Sequence, residues 1–456
     1  MHPRTATGNP RLSFWRRVRE YAVPPSMIET ATARRRVGDW AGACAAAGID
    51  VDLRLRTLAR SHGRELTDQV RADLRHLAPD LLRWHMPRVA PDGLLRPGLT
   101  IALARYGRQD PVYLVVRTPP AWAEGGQRIS LALWDGDRLR AGAGPHPHPR
   151  PGPRFRLDLH RHLWDARRSG ELPLRAGAGP RAGDQDQPVP LPPGHHCAVD
   201  RWADEARIVL RDAGRTTGSV IVRVGAGQRM RLDLAEDPEG RAAPPVRIGP
   251  APTDGSASAL PVLPEAATYV LPDLELLRTG AIEAGRLHPL VASALVPEHA
   301  QAGPPRTPAP AGRPRVVECR GARHRIGLVD GVLVPLDHDP DEIRREELLV
   351  ALTGTPLPCL RAIDRAHRRP ECLTGVRERL DHGDVAGALA VVESLLGPGA
   401  RLRGGPLRDE LEAAARRRIT YGLYRAGLSG PAPEWVYPAR PRPDDRRAHP
   451  RHATCG

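Results

Sequence analysis

The sequence predicts an α+β fold: an N-terminal helical module, a central antiparallel β-rich domain with long Pro/Gly loops, a C-terminal helical bundle and a disordered tail. Three observations carry this expectation. Apolar residues recur at helical spacing towards both ends. Short runs rich in β-branched residues, most followed by turn residues, fill the middle. The 50 Pro and 45 Gly gather between these regions instead of spreading evenly. At 456 residues the chain is too long for one ordinary core. The expected division is a helical module over 1–90, the β-rich domain over 91–300, a linker over 301–315, a hairpin plus helical bundle over 316–427, and the tail over 428–456.

The first distinctive stretch, FWRRVREYAV (14–23), is aromatic, basic and amphipathic. Such a segment fits a partner groove or an anionic surface. Docking on the chain's own helical module is the stronger expectation, because aromatic area is scarce here. In ELTDQVRADLRHLAPDLLRWH, Leu66, Val70, Leu74 and Leu77 recur at spacings of four and three, one face of a helix. Pro87 and the PDG of 91–93 then break the pattern. From about 98 to 237, LTIALARY, PVYLVVRT, RISLALWDGDR, RFRLDLH, ARIVLRD, SVIVRVGAG and RMRLDLAED read as strands. Two of them alternate Arg with an apolar residue (Arg154 to Leu157, Arg229 to Leu232), which predicts an Arg-bearing outer face. The segment 273–295 reads as a helical connector, RHRIGLVDGVLVPL (323–336) as a hairpin turning at Asp330–Gly331, and 339–426 as helical. Pro/Gly-rich segments at 141–154, 176–196, 238–258 and 301–315 read as linkers or long loops.

One string occurs twice. GDWAGACA (38–45) and GDVAGALA (383–390) differ at two positions, and Arg34 and Arg379 stand at the same offset before them. Gly38 and Gly383 suit the left-handed position that ends a helix, and Asp39 and Asp384 suit the N-cap of the next. Both copies read as the corner of a helical hairpin. The corner resembles that of a tetratricopeptide-like repeat, in which GD precedes an Ala four positions after the Asp: Gly38, Asp39, Ala43 and Gly383, Asp384, Ala388. The resemblance covers about a dozen residues per copy and implies paired helices. The 34-residue period of such arrays is missing, so no peptide-binding groove follows from it. Chance in an Ala/Gly-rich chain is the competing origin of the match.

The formal charge is +15, which ordinarily points to an anionic partner. All 68 basic residues are Arg, with no Lys, one Asn (Asn9) and two Phe. That composition follows a high-GC genome, so part of the charge reflects codon usage. The six Cys form no CxxC pair, which leaves a zinc ribbon or thioredoxin-like site unsupported and reduced, cytoplasmic thiols expected. No apolar run is long enough for a signal sequence or a membrane span, so the chain reads as soluble, without membrane insertion.

Several local clusters carry donor atoms. Asp158, His160 and His162 in LDLHRHLWD share one face if the segment is a strand, as metal ligands of a hydrolase do. His195, His196 and Cys197 form a second set. Asp337, Asp339, Asp341 and Glu342 look like a divalent-cation cluster, but Asp339 with Pro340 and Glu342 reads better as a capping box opening a helix. Cys359 and Cys372 flank His367, yet Cys in helical text is ordinarily a small core residue. No nucleophile elbow, P-loop or dinucleotide fingerprint is present, so neither a catalytic set nor a cofactor is expected.

The expectation is therefore a non-enzymatic protein-binding or adaptor protein using its helical hairpins. An Arg-rich nucleic-acid-associated protein and a metal-dependent hydrolase around Asp158, His160 and His162 are the alternatives.

Overall fold

A computed structural model describes residues 9–107, 111–123, 125–136, 150–177, 196–225, 227–235, 246–253, 256–298, 315–319, 321–329, 332–353, 357–368, 373–396, 402, 404–429 and 451–452. The linker 301–315 and the tail 428–456 fall largely outside these residues, as do His195, Cys372 and the Asp330–Gly331 turn. The chain is a mixed α+β fold of two units, Met1–Gly303 with Tyr424–Gly456, and Pro304–Leu423.

Unit 1 opens with helices α1 (Pro10–Tyr21), α2 (Pro25–Arg36) and α3 (Trp40–Ala46), strand β1 (Ile49–Val51), and helices α4 (Leu55–His76) and α5 (Pro79–His85). Asn9 caps α1 by accepting from the Arg11 amide, and the FWRRVREYAV stretch docks inward, burying Trp15 and Val18. Helix α4 breaks at Gly63, whose φ of +82° no β-carbon tolerates easily. Val70, Leu74 and Leu77 are fully buried, and Leu66 packs at the margin of the same core.

The strands follow: β2 (Arg88–Ala90), β3 (Leu94–Leu95), β4 (Thr100–Tyr106), β5 (Val112–Arg117) and β6 (Ile129–Trp134). Strands β4, β5 and β6 form with β1 a sheet ordered β1-β6-β5-β4, antiparallel except that β1 joins β6 in parallel, while β2 and β3 pair with each other in a separate sheet. One core cluster runs from Trp15 through Leu74, Leu114 and Trp164 to Val291, so the helical and β-rich segments on either side of residue 90 share it.

Two segments read as strands are not strands. RFRLDLH makes one parallel bridge, Arg156 to Ala102 on the β4 edge, then coils into a turn over Arg161–Leu163. Its alternation still buries Phe155 and Leu157, but no ladder follows. ARIVLRD is the end of helix α7 (Val199–Asp212), which follows the short α6 (Leu172–Ala176). Trp202, Ala206, Val209 and Leu210 lie on one helical face and cover the sheet of β7 (Gly218–Val224), β8 (Gln228–Leu234) and β9 (Val246–Pro250). In β8, Met230 and Leu232 point inward and Arg231 pairs with Asp233 outside, at 2.9 Å. Helices α8 (Glu265–Thr268), α9 (Pro272–Arg278) and α10 (Pro289–Leu295) close the unit.

Unit 2 holds a three-stranded antiparallel sheet, β10 (Arg315–Cys319), β11 (Ala322–Val329) and β12 (Val332–Pro335), in that order. Helices α11 (Pro340–Thr353), α12 (Pro358–Arg368), α13 (Leu373–Asp381) and α14 (Val385–Leu396) follow, and α15 (Pro406–Arg425) begins in this unit. Strand β13 (Arg451–His452) pairs with β2 in unit 1. Among the described residues no helix is long and apolar enough to cross a membrane.

Candidate functional site

The two repeated strings are built alike, one in each unit. Gly38 and Gly383 have φ of +78° and +85°. The amide of Gly42 donates to Asp39 Oδ1 at 2.8 Å, and that of Gly387 to Asp384 Oδ1 at 2.9 Å. Arg34 bonds Asp39 Oδ2 at 3.2 Å, and Arg379 bonds Asp384 Oδ2 at 2.9 Å. Ala43 and Ala388 are wholly buried. A β-carbon on Gly42 or Gly387 meets the capping carboxylate at 2.1 Å, which explains the Gly at that position. The strings are structural corners; their aspartates are committed to their own helices.

The local clusters are committed in a similar way, except that His162 Nδ1 is buried without a partner among the described residues. Asp158 is held by a forked contact from Arg156, at 2.6 and 2.8 Å. His160 uses both ring nitrogens, Nδ1 on the Arg156 carbonyl at 2.9 Å and Nε2 on Glu205 at 3.1 Å. His162 lies in the turn, buried, its ring 5.8 Å from that of His160. Burial and the neighbouring His160 hold His162 well below the usual histidine range. The three do not share a strand face and do not converge on one point. Burial pushes the Glu205 carboxyl up, but hydrogen bonds with His160 and Arg175 outweigh it and bring it down to about 2.

His196 Nδ1 lies 2.7 Å from Glu275, while burial raises the Cys197 thiol to about 11. Asp337 is clamped by Arg325, Asp339 caps α11 by accepting from the Asp341 amide at 2.9 Å, and Glu342 faces His338. Cys359 is buried beside Cys319, and burial with that hydrogen-bonded neighbour pushes it up to about 12. A protonated, buried thiol is a poor nucleophile.

The site that stands out is a cleft of about 110 Å³ in unit 1. It lies between α1, the end of α5, β4, the 154–157 segment and the α8–α9 junction. Trp15, Trp84, Ile101 and Phe155 make it apolar. Most cations around it have carboxylate partners: Arg11 with Glu275 at 2.9 Å, Arg19 with Asp273 at 2.7 Å, Arg154 with Glu265 at 2.7 Å, Arg156 with Asp158 and Asp212. Arg88 differs. It is 2% exposed and, among the described residues, donates to carbonyl oxygens alone, Arg83 at 2.8 Å and Gly93 at 3.4 Å. Its Nε is buried without a partner. Burial, with Arg83 and Arg19 nearby, lowers its pKa well below the usual guanidinium range.

Two further lining residues carry buried polar atoms without partners, Trp15 Nε1 and His85 Nε2. His85 Nδ1 faces the Leu81 and Leu163 carbonyls at 3.1 Å, so Nδ1 holds the proton and Nε2 offers a lone pair. Burial brings this imidazole down to about 4, which keeps it neutral at physiological pH. The cleft thus presents a cationic donor, a neutral donor and an acceptor on apolar walls. Of that set the sequence marked only Trp15, as part of the FWRRVREYAV stretch; Arg88 and His85 were not picked out as a site. Arg88 is one arginine of 68, and its isolation from carboxylates is visible only once the chain is folded.

A second donor group lies in unit 2, where Cys319, His338 and Cys359 place one ligand atom each within 4.8 Å of one another. No family model, curated protein or solved structure matches the chain.

Proposed function

We propose that this chain is a non-enzymatic protein-binding protein, an adaptor, whose unit 1 cleft receives the carboxylate end of a partner polypeptide. The observation that carries this reading is Arg88, a buried guanidinium without a counter-ion among the described residues, in an apolar cleft. Burying an uncompensated charge is costly, and a bound anion relieves that cost. A C-terminal residue supplies the complementary set: a carboxylate for Arg88, an apolar side chain for the Trp15, Trp84 and Phe155 walls, and an amide N–H for His85 Nε2. The unit 1 corner supports this surface, since α2 and α3 pack on α5, whose end carries Trp84 and His85. The nucleic-acid alternative is weakened by the arginines themselves, many of which are matched with carboxylates of the chain.

Titrating acetylated tetrapeptides ending in Leu, as free acid and as amide, tests the reading. The fluorescence of Trp15 and Trp84 reports binding. The free acid is expected to saturate the signal and the amide to leave it unchanged. Ala266→Phe fills the cleft from an exposed rim position and is expected to abolish the response. Pull-down of partners from the native cell, with nuclease, supplies the second arm. Partners lost with nuclease, or bound equally by Ala266→Phe, overturn the proposal.

A further inference from the structure

In unit 2 the ends of four elements bring sulfur and nitrogen donors together. Cys319 ends β10, immediately before the corner at Gly321, where φ is +79°. His324 lies on β11, His338 in the segment between β12 and α11, and Cys359 in the first turn of α12. Both thiols are at most 1% exposed, and the His338 side chain is 3% exposed. One ligand atom from each of Cys319, His338 and Cys359 falls within 4.8 Å of the others. Ligand atoms on a tetrahedral zinc ion, with bonds of about 2.0–2.3 Å, stand roughly 3.3–3.8 Å apart. A small inward adjustment of side chains reaches that geometry.

Three observations make this a ligand set. His338 Nδ1 faces Glu342 Oε2 at 3.4 Å, while its Nε2 is buried without a partner. A carboxylate on one imidazole nitrogen fixes the tautomer and leaves the other nitrogen as the metal donor, the arrangement found behind metal-bound histidines. The His324 ring lies 4.1 Å from that of His338, tilted by 36°, and its Nδ1 is likewise buried and unpartnered. The neighbouring carboxylate Asp337 is occupied by the Arg325 guanidinium and amide.

We propose that Cys319, Cys359 and His338 form a zinc site that staples the β10–β12 sheet to α11 and α12, with the His324 imidazole, stacked on His338 but outside the group of three, turning in as the fourth tetrahedral ligand. Two thiolates with two imidazoles favour zinc over harder cations, and four protein ligands make the site structural. The physical gain is local. Among the described residues the apolar cluster around the two cysteines is small, with Leu357 as its other buried member, and a metal ion supplies what that core lacks.

The test uses the full chain purified without chelator. Elemental analysis is expected to find one zinc per chain. Cobalt replacing zinc is expected to give the intense d–d absorption of a tetrahedral site and a thiolate-to-metal charge-transfer band. Cys319→Ser or Cys359→Ser weakens that band, and Cys44→Ser, in unit 1, leaves it unchanged. His324→Gln shifts the d–d bands, as loss of one nitrogen ligand requires. Glu342→Gln keeps the stoichiometry but lowers zinc affinity in chelator competition by about 10- to 100-fold. The wild-type cobalt spectrum decides the matter even if a Cys variant fails to fold. Absence of stoichiometric zinc, a weak octahedral cobalt spectrum, or a charge-transfer band that persists without both cysteines overturns the proposal.

Discussion

The twin corners allow one perturbation to be applied twice in different surroundings. Asp39→Ala and Asp384→Ala each delete an N-cap, which costs about 1 kcal/mol. The surroundings then separate them. Asp39 is 38% exposed and its partner Arg34 is 59% exposed, so that ion pair adds little, and the total loss stays near 1 kcal/mol. Asp384 is 5% exposed and bonds Arg379 at 2.9 Å. Losing a buried hydrogen bond to a charged partner adds about 1.5–3 kcal/mol, which brings the total to roughly 3 kcal/mol. Urea unfolding followed by two probes resolves the pair. No tryptophan lies between residues 304 and 423, so tryptophan fluorescence reports unit 1 while far-UV circular dichroism reports both units. Asp39→Ala is expected to shift the fluorescence midpoint slightly; Asp384→Ala is expected to shift the dichroism more. Equal losses at the two positions, or a larger loss at Asp39, would refute the link between burial and cap energy. No loss at either would remove the corner itself from the account of stability.

Three other outcomes follow from buried groups of unit 1. Asp273 is fully buried and takes a forked contact from Arg19, at 2.8 and 2.7 Å, and the Trp84 indole N–H at 3.0 Å. Asp273→Ala leaves Arg19 charged and unpaired and is expected to cost about 3–5 kcal/mol by urea unfolding; a loss below about 1 kcal/mol contradicts this network. His85 falls to about 4 in the fold from 6.5, chiefly by burial, with Asp273 opposing and Arg19 adding. The unfolded chain therefore takes up the proton first as pH drops. Stability is full above about pH 6.5 and declines towards pH 4, by about 3 kcal/mol from this group, and His85→Gln flattens that slope. Glu205 is about 2 in the fold against 4.5, so its contribution is present above about pH 4.5 and fades as pH falls towards 2. Glu205→Gln is expected to lower the neutral-pH midpoint and to flatten the profile below pH 4.5.

Much of the fold was legible where a single element decides its own state. Leu66, Val70, Leu74 and Leu77 carry a helical period over several turns, and the buried face follows it. LTIALARY, PVYLVVRT and RISLALWDGDR became β4, β5 and β6, because β-branched runs between turns have few other uses. ARIVLRD was not legible, because Ile208, Val209 and Leu210 fit a strand locally. What makes it helical is Trp202, upstream of the run, which lies with Ala206 and Leu210 on the face that covers β7 and β8. The strand IDV (49–51) was missed for the opposite reason: its three residues have no period of their own and are strand because β6 pairs with them in parallel.

The sites show a sharper contrast, and its cause is the composition. Residues adjacent in sequence, such as Asp158, His160 and His162, attract attention because their donors are close on the page. In a chain with 68 Arg, a conspicuous carboxylate finds a cation once folded, and Asp158 and Asp337 both do. For those carboxylates, proximity in sequence is then a sign of local satisfaction, although His162 keeps a buried bare Nδ1. Among the described residues, the groups left unsatisfied include several that tertiary packing isolates: Arg88, held by carbonyls alone, and His338 and His324, each with a buried bare nitrogen. Cys319 and Cys359 stand far apart in sequence with neither in a CxxC pair, and the sheet corner and α12 bring them together. A search by spacing passes over such a set, whereas unmatched buried polar atoms find it, because leaving them bare is what folding otherwise avoids.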